Sequence, residues 1–288
     1  MAGLGMSARL ARRAARRALA QLRFAGADNP RIAHMPRLFA NSFPKSGTHL
    51  LTQVLGGLAR LGPVVASGLP AVLTFEGESG VPRPVHSILG ELRRLLPGDI
   101  GYGHLHAFPE VVAELCRAGT ANFFIYRDPR DVVVSHVFYV TDKNARHVHH
   151  DHYVNELPDF DARLSTSILG RPEAQHPFPD IGQRFAPYLP WLEQEQVLAL
   201  RFEDFIAAAP AAGRVLDHAT AHGFAYRGSR DAALATLLDA MHPERSPTFR
   251  SGTVGSWRQH FKPEHQALFK EVSGGLLEKL GYEKGSDW

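Results

Sequence analysis

Short apolar runs alternate with helical patterns along most of this 288-residue chain. Four apolar runs predict strands, at Arg37–Ser42, Ile100–Leu105, Ala121–Tyr126 and Gln196–Phe202. Apolar residues at helical spacing predict helices between and after these strands, at about 48–61, 110–117, 129–140, 203–223, 230–241 and 264–280. Strands that alternate with helices are typical of a single α/β domain in which helices flank a central, mainly parallel sheet.

Two stretches show little periodicity. Residues 140–190 carry many His, Pro and Asp residues, and residues 242–262 are rich in Pro, Gly and Ser. Irregular segments of this length in an α/β enzyme often cover the active site, although a plain surface excursion would have the same sequence pattern. The first stretch is therefore a candidate cover for an active site.

The start of the chain is strongly basic. The first 27 residues contain six arginines and no acidic residue. On a helix these arginines fall within an arc of roughly 140°, and most of the leucines and alanines fall on the other side. The pattern predicts a basic amphipathic helix in an extension over residues 1–30. Such a helix could lie on an anionic membrane through residues 1–24, act as an organellar targeting peptide, or pack on the protein through its Ala/Leu face.

Composition limits the classes of function. No apolar run approaches the roughly 18 residues that a membrane span requires. The single cysteine, Cys116, excludes an internal disulfide and fits a reducing, cytoplasmic compartment. The net charge is +3, and subtracting the six N-terminal arginines leaves about −3 for the main domain, residues 31–288. A domain of that charge is not expected to bind nucleic acid.

A first candidate anion site lies where the first strand turns into a helix, at Ser42–Thr48 (SFPKSGT). Such a turn offers unpaired backbone N–H groups and the positive end of a helix dipole. Lys45 adds a mobile charge, Ser46 adds a hydroxyl, and Gly47 lets the backbone approach an anion closely. In the usual ATP-binding loop the lysine follows the second glycine, whereas Lys45 precedes Gly47. An ordinary helix N-terminus is the alternative interpretation.

A second candidate site follows the third predicted strand, at Tyr126–Ser135 (YRDPRDVVVS). Asp128 is a good helix N-cap, and Asp131 stands three residues later, as in a capping box. Arg127 lies at the strand end, where open α/β sheets bind ligands. Arg127 and Arg130 could instead simply pair with the nearby aspartates.

A third candidate site is the segment Phe249–Trp257 (FRSGTVGSW), where an arginine among glycines can fold over a phosphate. A turn would explain this segment alone equally well. The three motifs together, in this order, resemble those of the sulfotransferases that use 3′-phosphoadenosine-5′-phosphosulfate (PAPS) and release 3′-phosphoadenosine-5′-phosphate (PAP). The resemblance covers about residues 37–282.

This resemblance implies a fold like that of the P-loop NTPases and a binding role for residues of all three motifs. It assigns the 5′-phosphosulfate to Pro44, Lys45, Ser46, Gly47, Thr48 and His49. It assigns the 3′-phosphate to Arg127, Ser135, Arg250, Ser251 and Gly252, and the adenine to Phe202. Two positions depart from the family pattern, because Leu50 stands where a tryptophan commonly stacks on the adenine and Ser251 replaces a lysine.

The family's general base is a histidine that follows a strand, and the segment Gly103–His106 (GHLH) stands at that place. His104 matches the base, and His106 stands where the family has proline. Side chains alternate along a strand, so both histidines would face one side and either could reach the site. Imidazole suits the role because its ordinary pKa lies near neutrality. The implied reaction is an in-line transfer without a metal, in which Lys45 stabilises charge on the leaving oxygen.

The acceptor stays open at this point. The resemblance implies a hydroxyl or amine on a small molecule, a lipid or a carbohydrate, bound by variable loops that correspond here to residues 62–90 and 140–190. Candidate lining side chains are Phe75, His86, Phe138, Tyr139 and Tyr153. The histidine run at 147–152 lacks a zinc spacing and more simply belongs to a surface or acceptor-lining loop. The family's dimer motif is broken at 258–267, so no oligomeric state is predicted.

Two other functions compete with sulfuryl transfer. A P-loop kinase or NTPase would need a Walker-type lysine and a magnesium-binding acid after a strand, and the lysine order argues against it. A non-catalytic nucleotide-binding protein, held at a membrane by its basic start, would bind PAPS without transferring its sulfuryl group.

Overall fold

Among the residues that the structure describes, six strands form one sheet in which all pairings are parallel. The computed structural model describes residues 2–25, 31–77, 79–175, 177–245, 252–285 and 287–288. The strands are β1 (Arg37–Ser42), β2 (Val65–Ala66), β3 (Val72–Leu73), β4 (Asp99–His104), β5 (Thr120–Tyr126) and β6 (Val197–Arg201). Their order is β2-β4-β1-β5-β6, and β3 also pairs with β4. The predicted α/β domain with a mainly parallel sheet is confirmed.

Helices surround this sheet. In chain order they are α1 (Ala2–Arg23), α2 (Thr48–Leu58), α3 (Val85–Leu92), α4 (Pro109–Leu115), α5 (Pro129–Phe138), α6 (Phe160–Leu169), α7 (Ile181–Phe185), α8 (Ala208–Ala221), α9 (Arg230–Asp239), α10 (Pro263–Ser273) and α11 (Leu276–Lys279). π-helical turns at Tyr139–Lys143 and His152–Glu156 interrupt the connection between α5 and α6. A π-helical turn inside a helical segment often marks a functional site.

The sheet is buried on both faces, which explains why its central strands are continuous apolar runs. All seven residues of β5 are buried. Phe124 faces one core, which includes Trp191, whereas Phe123 faces the other core, which includes Leu51. Helices α2, α8 and α9 supply the second core, and the other helices of the main domain pack mostly on the first. The carboxyl ends of the strands are thereby left as the edge at which side chains converge.

Two local predictions were wrong, and two helices were not predicted. The predicted last helix at 264–280 is divided at Gly274 and Gly275, whose backbones are left-handed (φ 54° and 74°). Helices α6 and α7 lie inside the stretch that shows no sequence periodicity. The capping box at Asp131 does not form, because this carboxylate accepts hydrogen bonds from residues 255–257 instead.

Helix α1 contacts the main domain through ion pairs of two of its arginines. The guanidinium groups of Arg13 and Arg17 both pair with the carboxylate of Asp99 at the start of β4, and Asp99 is fully buried. Leu19 and Leu22 are instead 66% and 69% exposed. Over residues 11–23, whose burial the structure describes, the helix therefore does not pack through its Ala/Leu face, which was one of the three alternatives. None of the described helices combines the length and the apolar character that crossing a membrane demands.

Candidate active site

A cavity of about 490 Å³ opens at the carboxyl ends of β1, β4 and β5. Open α/β sheets generally bind their ligands at this edge. Residues from each of the predicted motifs line the cavity together, namely Pro44, Lys45, Gly47, Thr48, His49, His104, His106, Arg127, Ser135, Phe202 and Gly252. Ser46 is fully buried in the same loop. Arg250 and Ser251 lie outside the described residues.

The loop between β1 and α2 has an unusual backbone. Lys45 adopts a left-handed conformation (φ 67°), which costs a non-glycine residue about 1–2 kcal/mol. Gly47 is also left-handed (φ 98°), and a Cβ atom built on it would lie 2.6 Å from Cδ2 of Phe202. Ser42 Oγ and Thr48 Oγ1 close the loop across its base at 2.7 Å. Successive residues of unusual handedness turn backbone N–H groups toward one point and form an anion-binding concavity.

Two polar side chains of this loop have distinct surroundings. Ser46 Oγ is buried and has no hydrogen-bond partner among the described residues. Lys45 Nζ lies 3.8 Å from the ring centre of Tyr139, in a cation–π contact that holds the ammonium group at the cavity wall. The pKa of His49 is lowered by burial and by the charge of Lys45, so this imidazole is neutral at pH 7.

Arg127 links the second motif to the third. Its Nη2 donates to the carbonyl oxygen of Thr253 at 2.8 Å and to Asp131 Oδ2 at 3.2 Å, and its guanidinium lies 4.6 Å from the ring centre of Phe202. Its Nε is buried without a partner among the described residues. Asp131 also accepts from the amides of residues 255 and 257, so a single buried carboxylate ties the segment 253–257 to the start of α5.

The tautomer of His104 follows from its contacts. Its Nδ1 lies 3.0 Å from the carbonyl oxygen of Ser42 and 3.0 Å from Ser42 Oγ. A carbonyl oxygen can only accept, so Nδ1 carries the proton and Nε2 is the basic nitrogen. Strand β4 ends at His104, and the next residue is held by paired hydrogen bonds to the side chain of Asn41 (3.1 and 2.8 Å).

His106 has a different environment. Its ring packs against Phe75 and Tyr188, with ring centres 5.3 and 4.8 Å apart. Burial lowers its pKa to about 4, so it is neutral and a weak base at pH 7. Both histidines line the cavity, but strand alternation is not the reason, because the strand does not extend to His106.

The expected acceptor-lining side chains are only partly at the cavity. Phe75 and Tyr139 line it, together with His147 and His149 of the histidine run. His86 does not, because it is exposed on α3. The other two face other parts of the protein: Phe138 packs on Phe160 and His260, and Tyr153 is fully buried behind His136. No group of three His, Cys, Asp or Glu residues suited to a metal occurs in the described ranges.

Sequence reasoning missed several residues of the cavity wall. His136, Phe178, Arg184 and Tyr188 line it, and they come from α5 and from residues 177–188. Phe178 is brought there by a single antiparallel bridge with Arg171. No sequence motif marks these positions, since only the fold of the irregular stretch brings them to the cavity.

Solved structures share this fold. A crystal structure of mouse sulfotransferase SULT7A1 complexed with PAP matches with a TM-score of 0.55 over 94% of this chain and 91% of that chain, at 18% identity. A structure of retinol dehydratase in a complex with retinol and PAP matches with a TM-score of 0.52 over 89% of this chain and 85% of that chain, at 16% identity. No protein-family model and no curated protein sequence matches the chain. The chain therefore has the sulfotransferase fold, as its motifs predict.

Proposed function

We propose that this protein is a sulfotransferase that moves the sulfuryl group of PAPS to a hydroxyl or amine of an acceptor. The observation that carries the proposal is the convergence of the separate motifs on one cavity, since Lys45, Arg127 and Gly252 all line it although they are far apart in sequence. The PAP-bound sulfotransferase and retinol dehydratase of the same fold support this choice of nucleotide.

The residues present fit a nucleotide that carries an anionic group at each of two separate places. Ser46 Oγ and Arg127 Nε are both buried and lack partners among the described residues. A buried polar atom without a partner costs about 1–3 kcal/mol, and an anionic ligand at each place would remove that cost. The cradle between Gly47 and Phe202 admits no side chain at position 47, so the phenyl ring lies directly over the loop. We assign the 5′ end of the nucleotide to the loop, the 3′-phosphate to Arg127, Ser135 and Gly252, and the adenine to Phe202.

PAPS supplies the reactive sulfuryl group. His104 Nε2 takes the proton of the acceptor, and the hydrogen bond from Nδ1 to Ser42 orients the ring and stabilises the imidazolium that forms. Lys45, whose ammonium group lies against Tyr139 at the cavity wall, would stabilise the negative charge that develops on the leaving oxygen of PAP as its bond to sulfur breaks. His106 lines the acceptor side and contributes shape, because its low pKa makes it a poor base.

Calorimetric titration of the full chain with PAP and with ATP, in the absence of metal, tests the proposal. We expect PAP to bind roughly tenfold or more tightly than ATP, because ATP lacks the 3′-phosphate that Arg127 would pair with. Arg127→Gln should weaken PAP binding about 10- to 100-fold. Arg60→Gln removes an exposed arginine that pairs with Asp239 on the surface and should leave the affinity unchanged. Absence of PAP binding, or a preference for ATP with magnesium, would contradict the proposal and favour a kinase.

A further inference from the structure

The cavity wall holds an arginine, Arg184, that forms no ion pair with a carboxylate among the described residues, although the charge of Asp180 acts on it from a distance. Arg184 on α7 lines the cavity, and its guanidinium packs on the ring of Phe178, 4.2 Å from the ring centre. Its Nη2 donates to the backbone carbonyl of Ser167, and its Nε is buried without a partner. Asp180, the nearest acid along the chain, accepts from the amide of Gln183 and makes no ion pair with Arg184 among the described residues.

The positive charge of Arg184 raises the free energy of the folded protein unless a counter-charge or water solvates it. Burial lowers the pKa of Arg184 to about 10, so the group stays positively charged at pH 7 despite the loss of water around it. Arg184 as a whole is half-buried, but its Nε is fully buried, and a charge withdrawn from water in this way is normally paired with a counter-charge. The cation–π contact with Phe178 and one carbonyl oxygen replace only part of that solvation.

The imidazoles beside Arg184 carry no charge. His136 stacks on Phe178 with ring centres 4.9 Å apart, and His149 lies 4.8 Å from the same ring. Burial lowers the pKa of His136 well below its ordinary value and that of His149 to about 4. His136 Nε2 is buried without a partner among the described residues, so this part of the wall also has an unused hydrogen-bonding atom.

Arg184 lies close to the proposed reaction centre. The next residue, Phe185, stacks on Phe43 at the start of the phosphate loop, with ring centres 3.7 Å apart. Tyr188, four residues after Arg184, contacts both Phe43 and His106. The segment 184–188 is therefore packed directly against the loop between β1 and α2 and against the segment that carries His106.

We propose that the acceptor carries a single negative charge, a carboxylate attached to an apolar or aromatic body, and that Arg184 binds this carboxylate while the hydroxyl of the acceptor reaches His104. This inference rests on the proposed function. The planar guanidinium matches the two oxygens of a carboxylate, and one arginine flanked by neutral imidazoles suits one negative charge better than several. Phe75, Phe178 and Tyr188 supply the rings on which the apolar body packs.

A matched pair of probes tests the proposal on the wild-type full chain. We would titrate 3-(4-hydroxyphenyl)propanoate and its neutral amide into the protein by calorimetry, without nucleotide. We expect the carboxylate to bind about tenfold or more tightly than the amide, because a hydrogen-bonded charge pair replaces a neutral contact. Equal binding of the two probes, tighter binding of the amide, or no binding of either would overturn the proposal.

Variants of the arginine then locate the effect. Arg184→Gln should weaken the carboxylate about 10- to 100-fold, to the level of the amide, and should leave the amide and PAP affinities unchanged. Arg184→Lys keeps the charge and should keep part of the preference, which covers the case in which the glutamine variant does not fold. The control Arg230→Gln removes an exposed arginine that pairs with Asp217 and does not line the cavity, and it should leave both probes unchanged. Weaker PAP binding in Arg184→Gln would mean that the arginine contacts the nucleotide, which overturns the proposal.

Turnover with PAPS separates this inference from the proposed function. If both phenols are sulfated but the amide has an equal or lower KM, the acceptor proposal fails while the sulfotransferase stands. If PAP does not bind at all, the sulfotransferase proposal fails, and the carboxylate preference is decided by the nucleotide-free titration.

Discussion

One side-chain oxygen in the loop between β1 and α2 lacks a hydrogen-bond partner within the described residues. Ser46 Oγ is buried without a partner among the described residues, whereas the buried hydroxyl of Ser167 donates to the carbonyl oxygen of Val133 and lies 3.1 Å from His136 Nδ1. Two serines of equal burial therefore differ in whether the protein itself satisfies them. A polar atom left unsatisfied in the free protein is one that a ligand can use.

Ser46→Ala should separate stability from nucleotide binding. We expect the melting temperature to stay the same or to rise, because the change removes an unsatisfied buried hydroxyl. PAP affinity should fall about tenfold, because a hydrogen bond to a charged group is lost. Ser167→Ala, the matched control, should lower the melting temperature because it removes the hydrogen bonds of Ser167 Oγ to His136 Nδ1 and to the carbonyl oxygen of Val133. A clear loss of stability in Ser46→Ala with unchanged PAP binding would contradict the assignment of Ser46 to the ligand.

The two histidines of the GHLH segment should differ sharply in function. His104→Gln should lower kcat about 10²- to 10⁴-fold, the usual contribution of a general base, with PAP affinity unchanged. His106→Gln should act mainly on acceptor KM, because His106 is a neutral, ring-packed side chain. Single-turnover kinetics with saturating PAPS measure the first effect without interference from product release. Near-normal turnover in His104→Gln would remove His104 from the mechanism.

Motifs made much of the cavity lining predictable, but they did not identify the part of the wall that residues 177–188 form. Lys45 and Arg127 stand where a strand ends, and the carboxyl end of a parallel strand is where ligands bind, so local pattern was enough. Arg184 and Phe178 belong to the stretch with little periodicity. The antiparallel bridge to Arg171 positions Phe178, and the stacking of Phe185 on Phe43 positions the helix that carries Arg184. Such contacts leave no local signal in one sequence.

At the scale of elements, α1 shows how a basic segment can be part of the fold. Arg13 and Arg17 converge on Asp99, whose carboxylate is fully buried, while the exposed face of the helix carries Leu19 and Leu22. The helix thus contacts the main domain through two arginines, while two of its leucines face solvent. Any membrane contact of residues 1–24 must use the exposed face.

Arg13→Gln with Arg17→Gln should destabilise the protein. Removing both partners leaves Asp99 as an unpaired buried charge, which costs about 3–5 kcal/mol. We expect a lower midpoint in urea denaturation and faster proteolysis after residue 23. The matched control, Arg12→Gln with Arg16→Gln, makes the same change of charge on exposed positions of the same helix and should have little effect. Equal midpoints for the two double variants would contradict a structural role for the pair.

Strands were predicted better than helices for a physical reason. The long, buried strands β1 and β5 are continuous apolar runs, and their predicted bounds agree with the structure to within one residue. Strands β2 and β3 have two residues each, too few to show any pattern. The predicted helix at 264–280 has helical spacing throughout, but its adjacent glycines adopt left-handed backbones and end the helix early.

At the scale of the whole molecule, buried histidines make stability depend on pH. Burial lowers the pKa of His106, His149 and His218 to about 4, against an ordinary value near 6.5. Between these values the unfolded chain binds more protons than the folded one, so the free energy of unfolding falls as pH falls. Glu203, whose pKa burial raises, acts in the opposite direction, but it is one group against several.

The melting temperature should therefore fall between pH 6.5 and pH 5, a range above the ordinary pKa values of most carboxylates. His218→Gln should make this fall shallower, because it removes one of the titrating groups. His218 is chosen because it lies outside the cavity, where its Nε2 donates to the backbone carbonyl of Asn122 (3.1 Å). Differential scanning calorimetry over a pH series measures both slopes. A melting temperature that is flat or rises on acidification over this range would show that the histidines do not control stability.

The parallel sheet also has a consequence for the order of events in folding. Each parallel pairing joins residues that are far apart in sequence, as in the register of Arg37 with Thr120 and of Asn122 with Val197. Chains dominated by such distant contacts fold slowly, because long loops must close before any contact forms. The cavity lies where the ends of β1, β4 and β5 meet, so we expect PAP to bind only after these strands have paired. Bound PAP should then lower the unfolding rate constant and leave the folding rate constant unchanged, because it would stabilise only the native state.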